Sequence, residues 1–147
     1  MSKSFSFGGL AHLCISTRDM EESLRFYRDL LGFTVEYRTT LGDDMPSDGF
    51  WPLDYVLVRQ GSCAIELLRP ADTARVTVGV RGSIEHFALL VDNLEAAVTD
   101  LRGRGIVFEG EIGSIPRLFG GFKSIFLKGP SGESIELCEI SGSGGAP

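Results

Sequence analysis

The feature that most restricts what this chain can fold into is an internal repeat. The stretch opening Ala11-His12-Leu13 and the stretch opening Glu85-His86-Phe87 each begin the same succession of elements. Each copy also closes on the same tripeptide, Ile65-Glu66-Leu67 in the first and Ile135-Glu136-Leu137 in the second. Met20 follows His12 by eight positions and Leu94 follows His86 by eight, so each histidine stands at the same distance from the first apolar helix residue. Matches in this order mark two copies of one supersecondary unit.

In the first copy, residues 10–16 read as a strand. Asp19 is the N-cap of a helix over 20–31, with Leu24, Tyr27, Leu30 and Leu31 as its apolar stripe and Gly32 as its stop. Strands are expected over 33–38, 55–60 and 63–68, the last two joined by a turn at Gly61-Ser62. The second copy repeats the order, with a strand over 85–91, Asn93 as cap, a helix over 94–102 and Gly105 beyond it. Its remaining strands are expected over 106–111, 123–127 and 133–140. The predicted class is therefore α+β, built of two tandem βαβββ modules at about 8–70 and 82–140, with a flexible tail over 141–147. Segments 42–52 and 110–121, rich in Gly, Asp and Pro, read as irregular insertions of the kind that carry function.

Composition narrows the function. With 147 residues, 43% of them hydrophobic, the chain can bury a core without staples. Its net charge of -6 opposes binding to a nucleic acid, and no run of 18 apolar residues offers a membrane span. The three cysteines, Cys14, Cys63 and Cys138, have neither metal-type nor redox-type spacing. An odd number argues for a reducing compartment, so a cytoplasmic protein is expected. Cys14 and Cys138 read as small buried hydrophobes.

The only two histidines hold equivalent positions, as do the two Ile-Glu-Leu glutamates. Side chains alternate across a strand. If Ile65, Leu67, Ile135 and Leu137 pack in the core, Glu66 and Glu136 face the other way, and His12 and His86 lie opposite Leu13 and Phe87. Two imidazoles and two carboxylates make an N2O2 ligand set suited to Zn, Ni, Fe, Mn or Co. A ligand glutamate that loosens from such a metal can act as a base while the metal stabilises an enediolate. Taken singly, each group has a plainer reading: a hydrogen-bonded structural histidine, a salt bridge from Glu66 to Arg59 or Arg69, or one from Glu136 to Lys123 or Lys128.

The paired modules carrying these four residues resemble the vicinal oxygen chelate superfamily, which includes glyoxalase I, methylmalonyl-CoA epimerase, extradiol dioxygenases and antibiotic-resistance proteins. The resemblance extends to Ser23-Leu24-Arg25-Phe26-Tyr27, to Leu31-Gly32-Phe33, and to the run from Phe126 to Gly132 that precedes Ile135. It implies that each module's sheet curls around a cleft with one divalent metal (Zn, Ni, Mn, Co or Fe) at its centre, held by His12, Glu66, His86 and Glu136. It further implies a glyoxalase-I-like lyase or isomerase acting on a small substrate with two adjacent oxygens, with Glu136, and Glu66 beside it, as the catalytic base.

The arginine and asparagine that contact glutathione in glyoxalase I are replaced here by Ser16 and Pro70, four residues after His12 and Glu66. The alternatives within the resemblance are an epimerase, an Fe(II) dioxygenase using His12, His86 and Glu136, and a metal-free binding protein. Asp54 is a weak candidate for the second base that an epimerase needs. Arg117 and Lys123 are candidate anion contacts, and Trp51 and Phe119, with Phe50, are candidate covers for a bound ligand. A homodimer is expected.

Overall fold

A computed structural model describes residues 8–78 and 84–141. The chain divides into two compact units, Met1–Val76 and Thr77–Pro147. The first contains β1 (Leu13–Ser16), α1 (Met20–Leu24) running into a π-helical turn (Arg25–Leu30), β2 (Thr34–Leu41), β3 (Leu53–Gln60) and β4 (Cys63–Arg69). The second contains β5 (Phe87–Leu90), α2 (Leu94–Gly103), β6 (Phe108–Ile115), β7 (Phe122–Lys128) and β8 (Ser134–Ile140). Each unit has one four-stranded sheet, in the orders β1-β4-β3-β2 and β5-β8-β7-β6. In both, the first strand runs parallel to the last and the other neighbours are antiparallel. The two sheets have the same topology, so the repeat in the sequence is a repeat of βαβββ modules in space.

The capping expectations are met. Asp19 accepts from the Glu22 amide and Asn93 from the Ala96 amide, satisfying helix-start donors that would otherwise have no partner. Leu94, Val98 and Leu101 are the buried face of α2.

The first helix departs from the regular one expected over 20–31. After Leu24 it widens, and the Leu31 amide donates to the Phe26 carbonyl, a spacing of five residues. The apolar stripe shifts accordingly. Phe26 and Tyr27 are both buried, edge to face with centroids 5.0 Å apart, while Leu30 and Leu31 are only half-buried. Gly32 leaves the helix at φ 81°, a left-handed conformation natural to glycine.

Other boundaries differ for local reasons. The first strand of each module is shorter than expected, because the partner strand offers register only from Leu13 with Ile65 and from Phe87 with Ile135. β2 continues three residues beyond the expected end, pairing Thr39, Thr40 and Leu41 with β3. The first half of the segment over 110–121, to Ile115, is strand, and the second half is irregular as expected. The register of β6 slips between Glu109 and Gly113, and this irregularity accommodates the glycines while pairing continues to Ile115. Segment 42–52 is irregular as expected.

The first unit also runs past residue 70. The Arg18 guanidinium donates through Nε and Nη2 to the carbonyl of buried Val76, tying the end of the unit to its beginning. The expected start of module two at 82 and the tail beyond 141 lie outside the described residues. No helix among the described residues is long and apolar enough to cross a membrane.

Candidate functional site

Burial alternates as expected in β4, whereas in β8 Glu136 is itself buried, at 7% exposure, like its neighbours. Ile65, Leu67 and Ile135 are fully buried and Leu137 nearly so, whereas Glu66 lies between buried neighbours yet stays partly open. Register then sets the partners. Leu13 aligns with Ile65, so His12 falls one step earlier on the face that carries Glu66. Phe87 aligns with Ile135, which places His86 likewise relative to Glu136. In the first unit His12 Nε2 lies 3.1 Å from Glu66 Oε2, and in the second His86 Nε2 lies 3.0 Å from Glu136 Oε2. The same two atom types meet at nearly the same distance in both modules.

The plainer readings of the glutamates do not match these contacts. Arg59 pairs with Glu36, Arg69 donates to the Arg18 carbonyl, Lys123 pairs with Glu95 and Lys128 with Glu109.

The surroundings of the two pairs differ. In the first unit the Tyr55 hydroxyl donates to Glu66 Oε1 at 2.9 Å, so both carboxylate oxygens have a partner. Desolvation, followed by the hydrogen bond to Glu66, pushes the Tyr55 phenol up to about 12. In the second unit the Glu136 side chain is only 10% exposed, and among the described residues His86 is its one polar partner, at Oε2. Phe126, directly across from Glu136 in register, sets its ring edge-on to His86 with centroids 5.2 Å apart.

Cys138, two residues beyond Glu136, is buried, and burial is the main cause that raises its thiol above the ordinary range. Cys14 is exposed, contrary to the expectation of a buried hydrophobe, because β1 is an edge strand and Cys14 lies on the face opposite buried Ile15.

The separation within each pair is compatible with two ligands of one divalent ion. Ligand atoms about 2.1 Å from one ion and at right angles lie about 3.0 Å apart, against about 3.4 Å for a tetrahedral angle. The 3.1 and 3.0 Å separations therefore suit two neighbouring positions of a six-coordinate ion, and are also ordinary hydrogen-bond lengths. Among the described residues no three His, Cys, Asp or Glu side chains cluster as a ready metal site.

The weaker candidates are distributed as follows. Trp51 is half-buried and packs edge-on to Phe50, and a Cβ on Gly42 would overlap its ring. Asp48 organises this segment by accepting from the Phe50 and Trp51 amides. Those two bonds hold its carboxyl below the usual range. Asp54 is occupied by Arg38 at 3.2 Å. Arg117 is exposed beside Phe119, which has φ 49° and packs against Phe122. Lys123 is engaged by Glu95 at 2.9 Å. Sequence reasoning missed Tyr55 and Phe126. Their signal was present as an aromatic on the third strand of each module, but its significance depends on a register that sequence does not supply.

The model of the Glyoxalase/Bleomycin resistance protein/Dioxygenase superfamily matches residues 9–137. The chain belongs to this superfamily. It is 32% identical over 110 residues to the mitochondrial methylmalonyl-CoA epimerase of Mus musculus, a match covering 71% of this chain and 58% of that protein. The match thus spans little more than half of that epimerase's length. The chain is also 28% identical over 128 residues to the uncharacterized protein YwbC of Bacillus subtilis, covering 86% of this chain and 93% of the other. Among solved structures, the glyoxalase family protein from Enterococcus faecalis superimposes with a TM-score of 0.70 at 22% identity, covering 90% of this chain and 98% of that one. This superfamily member thus has the α+β fold of its relatives, as two tandem βαβββ modules.

Proposed function

We propose that this superfamily member is an enzyme that moves a proton on the carbon next to a carbonyl of a small substrate, with a divalent metal held by His12, Glu66, His86 and Glu136. The observation that carries the reading is the matched pair of His–Glu contacts, alike in atoms and in distance, in two modules whose sequences otherwise differ. When bound, such a metal (Zn, Ni, Mn, Co or Fe) stabilises the negative charge that develops on a substrate oxygen as the proton leaves.

The chain's own residues supply the rest. Glu136 has one oxygen directed to His86 and the other without a polar partner among the described residues, so Oε1 is the atom that takes and returns the proton. The edge of Phe126 restrains the His86 ring. Trp51, Phe119, Arg117 and, once released from Glu95, Lys123 contact the substrate.

Within this chemistry, the glyoxalase-like lyase or isomerase and the epimerase share the proton-removal step. The 32% identity to a methylmalonyl-CoA epimerase favours the epimerase, as does the presence of Ser16 and Pro70 where glyoxalase I has its glutathione contacts. In this reading the protein is a cytoplasmic homodimer, and its free cysteines accord with a reducing compartment.

Incubation in D2O with added Co(II), Ni(II), Mn(II) or Zn(II) tests the reaction class. Methylmalonyl-CoA should gain deuterium at its α carbon if the protein is an epimerase, and a hemithioacetal should be converted to a thioester if it is glyoxalase-like. Glu136→Gln should abolish exchange more completely than Glu66→Gln. Oxygen consumption with a catechol and Fe(II), without any proton exchange, would replace the reading with the dioxygenase alternative.

A further inference from the structure

The two carboxylates of the repeat are held differently, and the difference comes from one position. In β3, Leu57 lies opposite Glu66, and Tyr55 is two residues before it on the same face. In β7, Phe126 lies opposite Glu136, and the residue two before it is Ser124. Tyr55 and Ser124 are therefore equivalent. The phenol is long enough to reach diagonally back to Glu66 Oε1, at 2.9 Å. A serine hydroxyl at the equivalent position is too short for that diagonal, and Ser124 makes no such bond to Glu136. Tyr55 is itself supported by Tyr37, whose ring packs edge-on at 6.2 Å. Glu66 is consequently fixed at both oxygens, by His12 and by Tyr55, whereas Glu136 is fixed at one.

We infer that Tyr55 is a positioning residue that locks the Glu66 carboxylate as a stationary metal ligand, and that its replacement by Ser124 in the second module leaves Glu136 free to move a proton. This rests on the metal reading above. It deepens that reading by assigning unequal roles to two glutamates that the sequence repeat makes look equivalent. Supporting groups that orient a ligand commonly change metal affinity by 10–100-fold when removed.

Two measurements on Tyr55→Phe test the inference, with Ser124→Ala as the control and thermal unfolding as the check that each variant folds. The first uses metal-free protein. The chain has only two histidines, so ring nitrogen signals are simple to follow by NMR. Tyr55→Phe should shift the His12 signals, through the altered Glu66 carboxylate, and leave those of His86 in place. Unchanged His12 signals overturn the positioning role.

The second is calorimetric titration with Co(II). Tyr55→Phe should bind about 10-fold or more weakly, and Ser124→Ala as well as the unaltered protein. Equal affinity of Tyr55→Phe and the unaltered protein overturns the inference. If the unaltered protein takes up no Co(II), the metal reading fails, and the NMR comparison still decides whether Tyr55 holds Glu66.

Discussion

Truncating Ile65 to alanine tests the strand alternation that aims the candidate ligands. Ile65 is 0% exposed and stands next to Glu66 on β4. The substitution removes three carbons, worth about 0.8 kcal/mol each in transfer, or about 2.4 kcal/mol together. A closely packed site relaxes only partly, and the residual cavity raises the expected loss to about 3–4 kcal/mol. In urea, with a slope of about 1.5 kcal/mol/M for a chain this small, the unfolding midpoint should fall by about 2–2.7 M with the slope unchanged.

Ile135→Ala, at the equivalent fully buried position of β8, should lose a similar amount. Glu66→Gln should stay within about 1 kcal/mol of the unaltered protein, because an amide oxygen can still accept from Tyr55 and a His–Glu contact this open to solvent contributes little. A loss below about 1 kcal/mol for either isoleucine would be incompatible with this packing. It would mean that the residues flanking the glutamates do not hold the core, and that the face assigned to the carboxylates is wrong.

Two further outcomes follow from local contacts. Replacing Asp19 or Asn93 by alanine removes the side-chain acceptor at a helix start and should cost about 1 kcal/mol each in urea unfolding, whereas Thr99→Ala on the exposed face of α2 should cost much less. Asp48 has its carboxyl held below the ordinary range by the Phe50 and Trp51 amides. Its contribution is therefore complete above the usual carboxylate pKa and is lost as pH falls through the lowered value. Trp51 fluorescence should change in that acidic window, and Asp48→Asn should shift or remove the change; a Trp51 signal indifferent to acid in both proteins would contradict the assigned contacts.

Much of the fold was legible because the repeat reports twice on the same unit. Caps at Asp19 and Asn93, glycines beyond both helices, and apolar residues flanking each glutamate specify the order of elements. The errors arose where pairing overrides local signals. Gly110 and Gly113 read as loop, yet they sit within β6 because a slip in register accommodates them. Phe26 is buried because the helix widens, which a regular periodicity does not foresee. The His–Glu pairs were legible as a pattern, since alternation and parallel pairing suffice to bring their atoms together. Tyr55 was not, because its contact with Glu66 runs diagonally across two antiparallel strands and depends on their register.

Metal analysis of the protein purified without chelator decides whether His12, Glu66, His86 and Glu136 hold a metal. The protein should carry about one equivalent of a divalent metal per four-residue set, present as isolated or restored by Co(II), Ni(II), Mn(II), Fe(II) or Zn(II), and sharply reduced in both His12→Ala and His86→Ala. Protein that is folded yet carries no metal and takes up none of these ions would contradict this assignment, and so would metal that persists unchanged after loss of either histidine.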